Sequence, residues 1–154
     1  MGTPAQYLQA ERLKYPGMLP REILIWRNWL KLHESEFERF DYNVRVGQGT
    51  DPGASYPEPE RSMAIQISQK RIDVVAWKGG RATLIEVEDR PGVSGPAQLA
   101  AYETLWRADN PAEGAPVMLL VVPRIQPDTL TVAVRAGIRV EIVETSFDEL
   151  RPKK

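Results

Sequence analysis

The chain has 154 residues, 20 basic and 21 acidic, with a formal net charge of −1, a size that suits one domain with a single core covered by helices and a sheet. Hydrophobic residues make up 42% and charged residues 27%, which argues against both wholesale disorder and a membrane class, and a nearly neutral chain can grip nucleic acid only through a local basic patch. The absence of cysteine excludes a disulfide framework, a thiolate metal site and a cysteine nucleophile, so any metal must be held by oxygen or by His33.

Residues 1–19, with prolines at 4 and 16, read as an arm that is either loose or laid on the domain. They lack the basic-then-apolar order of a secretory leader, and the longest apolar run, Val117 to Val122, is too short to cross a bilayer. The expected location is therefore cytoplasmic, without a membrane partner. From Pro20 a mostly buried helix is expected, because proline suits the first helical position and Ile23, Trp26, Leu30 and Phe37 recur at helical spacing, with Ile25, Trp29 and Leu32 widening the apolar face. His33 falls on that apolar stripe and reads as a core or boundary histidine rather than a ligand. Phe40 to Val46 alternates apolar and polar residues as a half-buried strand does. Gly47 to Ser62 carries three glycines and three prolines and reads as a long irregular loop able to contact or gate a substrate.

Two β-branched runs, Arg71 to Trp77 and Ala82 to Glu88, flank Lys78-Gly79-Gly80-Arg81, and Gly-Gly marks a hairpin turn. A second helix is expected from Pro96 to about Trp106 with Ser94 or Gly95 as its N-cap. Val117 to Val122 reads as a strand covered on both faces, Thr129 to Ala136 as a short helix closed by Gly137, and Ile138 to Val143 as a last strand. The order αβββαβαβ, without internal repeat, predicts an α/β fold of the α+β type with a mixed central sheet flanked by helices. Residues 20–150 form this single domain, and 151–154 are a basic tail.

The hairpin carries the chemistry. A Gly79-Gly80 turn puts Lys78 opposite Arg81, and counting back along the ladder puts Asp73 opposite Glu86 and Arg71 opposite Glu88. Opposed residues share a face with Cβ atoms roughly 5 Å apart, and Glu88 shares it with Glu86 through the period of two. Three carboxylates and one arginine are thus expected to converge within one ion's reach. Like charges opposed in apolar strands need compensation, and a hard divalent cation such as Mg2+ or Mn2+, which prefers oxygen ligands, is the simplest form of it. On spacing alone the alternative stays open that these residues form a solvated face, with Glu88 paired to Arg71. Asp89 should point to the other face if the strand continues. Lys70, Arg71, Arg90 and the loop Gly47 to Ser62 are the expected basic rim.

Arg71-Ile-Asp-Val-Val-Ala-Trp, turn, Ala-Thr-Leu-Ile-Glu-Val-Glu resembles the signature of the PD-(D/E)XK nuclease superfamily, an Asp on one hairpin strand and acidic-x-Lys on the next, and the element order is similar to that superfamily's restriction-endonuclease-like core. Gln98 and Tyr102 resemble the Q-x-x-x-Y element of its RecB-type members, with both residues on one helix face. Arg21-Glu22-Ile23-Leu24, followed by Val44 to Gly49, is similar to the layout of archaeal Holliday-junction resolvases, where a glutamate at the matching position of Glu22 joins the metal site. A helix's first turn favours an acidic residue in any case. The resemblance covers roughly residues 20–143 and implies a metal-dependent DNA nuclease in which Asp73, Glu86, Glu88 and Glu22 hold the metal and Gln98 and Tyr102 orient substrate or water. Glu88 departs from the family pattern by standing where lysine is usual. It acts as an extra carboxylate and general base, with Arg71, Lys70 or Arg90 as the cation, or else marks a domain that has lost catalysis and serves a structural or accessory role in a phage particle, and hence a virion, or in a DNA-processing assembly. DNA is the implied partner, with a homo-oligomer or larger assembly left open.

Overall fold

In the computed structural model, which describes residues 13–152, the elements are α1 (Pro20–His33), β1 (Arg39–Val46), α2 (Glu60–Ser68), β2 (Lys70–Lys78), β3 (Arg81–Val87), α3 (Ser94–Asp109), β4 (Val117–Val122), α4 (Pro127–Arg135) and β5 (Ile138–Ile142). The five strands form one mixed sheet in the order β1-β2-β3-β4-β5. β1, β2 and β3 pair antiparallel, while β3, β4 and β5 run parallel. The expected α/β class and mixed sheet flanked by helices are what the chain adopts. Parallel neighbours need a crossover, and α3 and α4 supply the two crossovers of this sheet.

Each face of the sheet has its own core. On one side α1 brings Ile23, Ile25, Trp26 and Trp29 onto Val74, Ala76, Ile85, Val87, Leu119 and Val121. On the other, Leu99, Tyr102 and Trp106 of α3 and Ala133 of α4 cover Val75, Leu84, Leu120 and Val122. β3 and β4 are buried on both faces, β4 as its continuous apolar sequence requires. Among residues 13–19, Tyr15 and Met18 are buried in the α1-side core, so this part of the N-terminal arm is laid on the domain. Its first twelve residues, and 153–154 of the basic tail, lie outside the described residues.

Four local expectations are corrected. Leu32 does not join the buried face of α1 and is exposed, because α1 ends one residue later and the chain turns into the short 3-10 segment Glu34–Glu36. The irregular loop stops at Pro59, and Glu60–Ser68 forms α2, which buries none of its residues and so lacks the full apolar stripe by which a helix is read from sequence. α3 begins at Ser94 rather than Pro96, which puts Gly95 inside its first turn. α4 begins at Pro127, two residues before the expected start, with proline in the first helical position it favours.

The hairpin register is the expected one: Lys78 faces Arg81, and each step back holds as far as Val74 opposite Ile85. Beyond that pair the β2–β3 ladder opens. The same level of the sheet holds a second irregularity. Ile72 and Val75, an odd number of residues apart, both join the α3-side core, whereas Val74 joins the other. β1 switches likewise, with Tyr42 packing on the α1 side and Val44 on the α3 side. Both switches flank Asn43 and Asp73, the one pair missing from the β1–β2 ladder, and Asn43 has φ 54°. A residue in the left-handed region reverses the pleat, so both strands turn over just where Asp73 must leave the ladder.

Candidate functional site

Glu86 sits on the α3 side of β3, two residues after Leu84 of the α3-side core, and is 6% exposed. Where the ladder opens, side chains replace main-chain partners: the Asp73 N–H donates to Glu86 Oε1 at 3.3 Å, and the Val87 N–H donates to Asp73 Oδ2 at 3.0 Å. Each carboxyl thus takes an amide that the splayed strands no longer satisfy, which fixes both groups at the mouth of the fork. β3 then continues toward β4, with the Glu88 N–H on Val121 O at 3.0 Å.

Glu22, Asp73, Glu86, Glu88, Asp89, Arg90, Gln98 and Tyr102 line one cavity of about 580 Å³. All six site residues inferred from the sequence are therefore brought together. Their electrostatics agree with that placement. Burial, and then the charge of Asp73, hold the Glu86 carboxyl well above the usual carboxylate range. Asp73 is also raised, by burial. Burial and the Asp73 charge raise Glu88, and burial pushes Glu22 up to about 7, against the pull of the Leu19 N–H and with the help of Asp73, Glu88 and Asp89. Burial pushes the Tyr102 hydroxyl up, and Glu86, Asp73 and Glu88 add to it. Without a cation, both carboxyls are thus biased toward the protonated form, Glu86 the more strongly, because a charge is costly in a dry setting and more so beside another.

Some of the expected geometry is not met. Among the described residues no three His, Asp or Glu side chains are grouped closely enough to hold one ion. Asp73 and Glu86 are adjacent, while Glu88 rests over the first turn of α3, where a Cβ on Gly95 would lie 2.7 Å from Glu88 Oε1. Glu22 reaches back to accept the Leu19 N–H at 2.8 Å, so it caps α1 while facing the cavity. Arg71 does not oppose Glu88. The ladder has ended by that point, Arg71 pairs with Arg45 of β1, and the pleat reversal at Asp73 turns it out of the cavity lining.

Asp89 lies beyond the end of β3, so strand alternation no longer governs it. It joins the cavity wall and is held by Arg21, Nε to Oδ2 at 2.6 Å, the guanidinium lying 3.6 Å from the centre of the Phe147 ring. The expected basic rim is reduced to Arg90. The loop from Gly47 contributes nothing to the lining: Arg61 is taken up by Asp51 at 2.6 Å, and Gly47 is tied to Asp109 and Gln69. His33 is a boundary histidine as expected, bonded to Glu36 and 3.3 Å from Glu141.

Sequence reasoning missed Gly95 as part of the site. Its signal was the small residue at a helix start, read only as a cap.

Neither a family model nor a curated protein matches the chain. Among solved structures it is similar to one described as "Crystal Structure of Protein of Unknown Function AF1548", at 20% identity and a TM-score of 0.42, covering 76% of this chain and 56% of that one. The chain thus spans little more than half the length of that protein, and the likeness defines neither a family nor a function. No helix among the described residues is long and apolar enough to cross a membrane.

Proposed function

We propose that this domain is a divalent-metal-dependent nuclease of the PD-(D/E)XK type that hydrolyses phosphodiester bonds in DNA. The observation that carries this reading is that Glu22, Asp73, Glu86 and Glu88 share a cavity and none has a cationic side-chain partner among the described residues. A degenerate scaffold is expected to have neutralised such charges with arginines, as Asp89 is neutralised by Arg21. Here the carboxylates stay buried without arginines, and a bound cation would offset the cost of ionising them.

An all-oxygen donor set fits a hard ion, and Mg2+ commonly takes one or two carboxylates and keeps water in its other positions. Asp73 and Glu86 would hold the ion, with Glu88 and Glu22 as further carboxylates on the same walls. When bound, Mg2+ or Mn2+ supplies positive charge at the phosphate and acidifies water. The chain's own groups do the rest. Glu88, whose carboxyl is raised by burial and then by the Asp73 charge, lines the same cavity and would accept a proton from the attacking water. Gln98 and Tyr102, one helical turn apart on α3, present an amide and a hydroxyl to the same space and orient substrate or water. Arg90, the one cation of the cavity lining among the described residues, would contribute positive charge toward the bound phosphates where the family's lysine is missing.

The test is cleavage of supercoiled, linear and branched DNA across Mg2+ and Mn2+ concentrations, with calorimetry for ion binding. Asp73→Asn and Glu86→Gln should each lower cleavage by roughly 10²-fold or more while the domain stays folded. Wild-type protein that binds neither ion and cuts none of these substrates overturns the proposal.

A further inference from the structure

A second cavity, of about 390 Å³, is lined by Arg90, Pro91, Arg124, Ile125, Gln126 and Pro127. Arg90 belongs to both linings, so the two cavities meet at its side chain. We propose that this second cavity is a phosphate site in which Arg90 and Arg124 grip a non-scissile phosphate, one nucleotide removed from the acidic centre on the same strand. The identity of the strand rests on the nuclease reading; the anion site itself does not.

Both guanidinium groups are available. Arg124 is exposed and makes no ion pair among the described residues. Arg90 is 83% exposed, and its nearest carboxylate, Asp89, is 3.9 Å away and already bonded to Arg21. Two arginines on one concavity, Arg124 without an ion pair among the described residues and Arg90 only loosely paired, present donors matched to phosphate oxygens. The helix end adds little, because Asp128 stands in the first turn of α4, so the arginines supply the attraction.

The remaining wall suits a nucleotide better than a bare anion. Pro91, Ile125 and Pro127 give apolar surface for a sugar or base, and Gln126 gives an amide. The position is also the one that a strand must pass. Arg124 follows the C-terminal end of β4, and Arg90 follows that of β3, its parallel neighbour. A strand held at the carboxylates therefore runs on across the two adjoining strand ends. In a chain of net charge −1, such a local pair is what allows an acidic centre to retain a polyanion.

Two measurements on the 154-residue chain test this. In metal-free buffer, titration with a 5′-phosphorylated thymidine dinucleotide should shift the side-chain Nε–H signals of Arg90 and Arg124 in a nitrogen-15 NMR spectrum, and inorganic phosphate should shift them far less. In Ca2+, Arg124→Ala should weaken duplex binding about tenfold and lower the slope of log K against log salt by about one, with Arg124→Lys recovering part of both. Absent shifts, or an unchanged Kd and slope, overturn the site. Equal shifts with inorganic phosphate overturn the nucleotide assignment. A protein that still cuts DNA but is indifferent to Arg124 loses this site and keeps the nuclease reading. One whose DNA binding depends on Arg124 but that cuts nothing with either ion does the reverse.

Discussion

Gly95 governs where the Glu88 carboxylate can rest. The three atoms nearest to a methyl group there would all belong to the Glu88 carboxyl group, at 2.7 to 2.9 Å, so the strain of an added side chain falls first on the free end of Glu88. Gly95→Ala is therefore expected to leave the fold intact and to raise stability by up to about 1 kcal/mol, since alanine favours a helix over glycine. It should at the same time displace Glu88 and lower Mn2+ affinity and cleavage. The paired measurement is a denaturant melt with calorimetric titration of Mn2+; a variant that is destabilised, or that binds Mn2+ as wild type does, removes Gly95 from the site. Glycine at this position was readable in the sequence only as a helix cap, because its use depends on a carboxylate from another element.

At the scale of the element, the hairpin was legible and its outer end was not. Gly79 and Gly80 both have positive φ, 56° and 76°, as a two-residue turn of the favoured hand requires, and that turn fixes every pair back to Val74 and Ile85. Counting beyond the turn correctly brought Asp73 to Glu86. It failed for Arg71 because the count assumes unbroken pleats, and the reversal at Asn43 has no sequence signature stronger than an asparagine in a strand. Asn43→Val should cost about 1–3 kcal/mol, because a β-branched residue resists the left-handed conformation, and should shift Asp73 away from Glu86. Asn43→Gly should stay within about 1 kcal/mol of wild type. Chemical denaturation of the two variants checks this, and equal melts would show that the pleat reversal does not depend on residue 43. α2 escaped the sequence reading for a different reason: it buries none of its residues, and its few apolar positions fall short of a full stripe.

For the whole molecule, burial of the site carboxylates, with their mutual repulsion second, makes the pH dependence run opposite to that of most acidic side chains. The native state holds Glu22 at about 7 and raises Asp73, Glu86 and Glu88, so between the ordinary carboxylate range and these raised values it binds more protons than the unfolded chain. Linkage then makes stability fall as pH rises through that window. Metal-free protein should melt higher at about pH 5 than at about pH 8, and Glu86→Gln should flatten the difference. At the higher pH, Mg2+ or Mn2+ should restore stability, by about 2.7 kcal/mol at one hundred times its Kd. Calorimetric melts across this range decide the matter. Stability that rises steadily with pH in the absence of metal would mean that the carboxylates are not strained.

The opening of the β2–β3 ladder also bears on the order of events in folding. Asp73 and Glu86 are 13 residues apart in sequence, joined by a two-residue turn, so they meet as soon as the hairpin forms, on the order of 1–10 μs. At that moment both are still in water, where two charges about 4 Å apart repel by only about 1 kcal/mol. The larger penalty arrives when α3 crosses over to place β4 beside β3 and water is excluded. The conflict within the site is thus felt late on the way in and early on the way out, and a change of pH acts mainly on how long the finished molecule lasts rather than on how fast it is made.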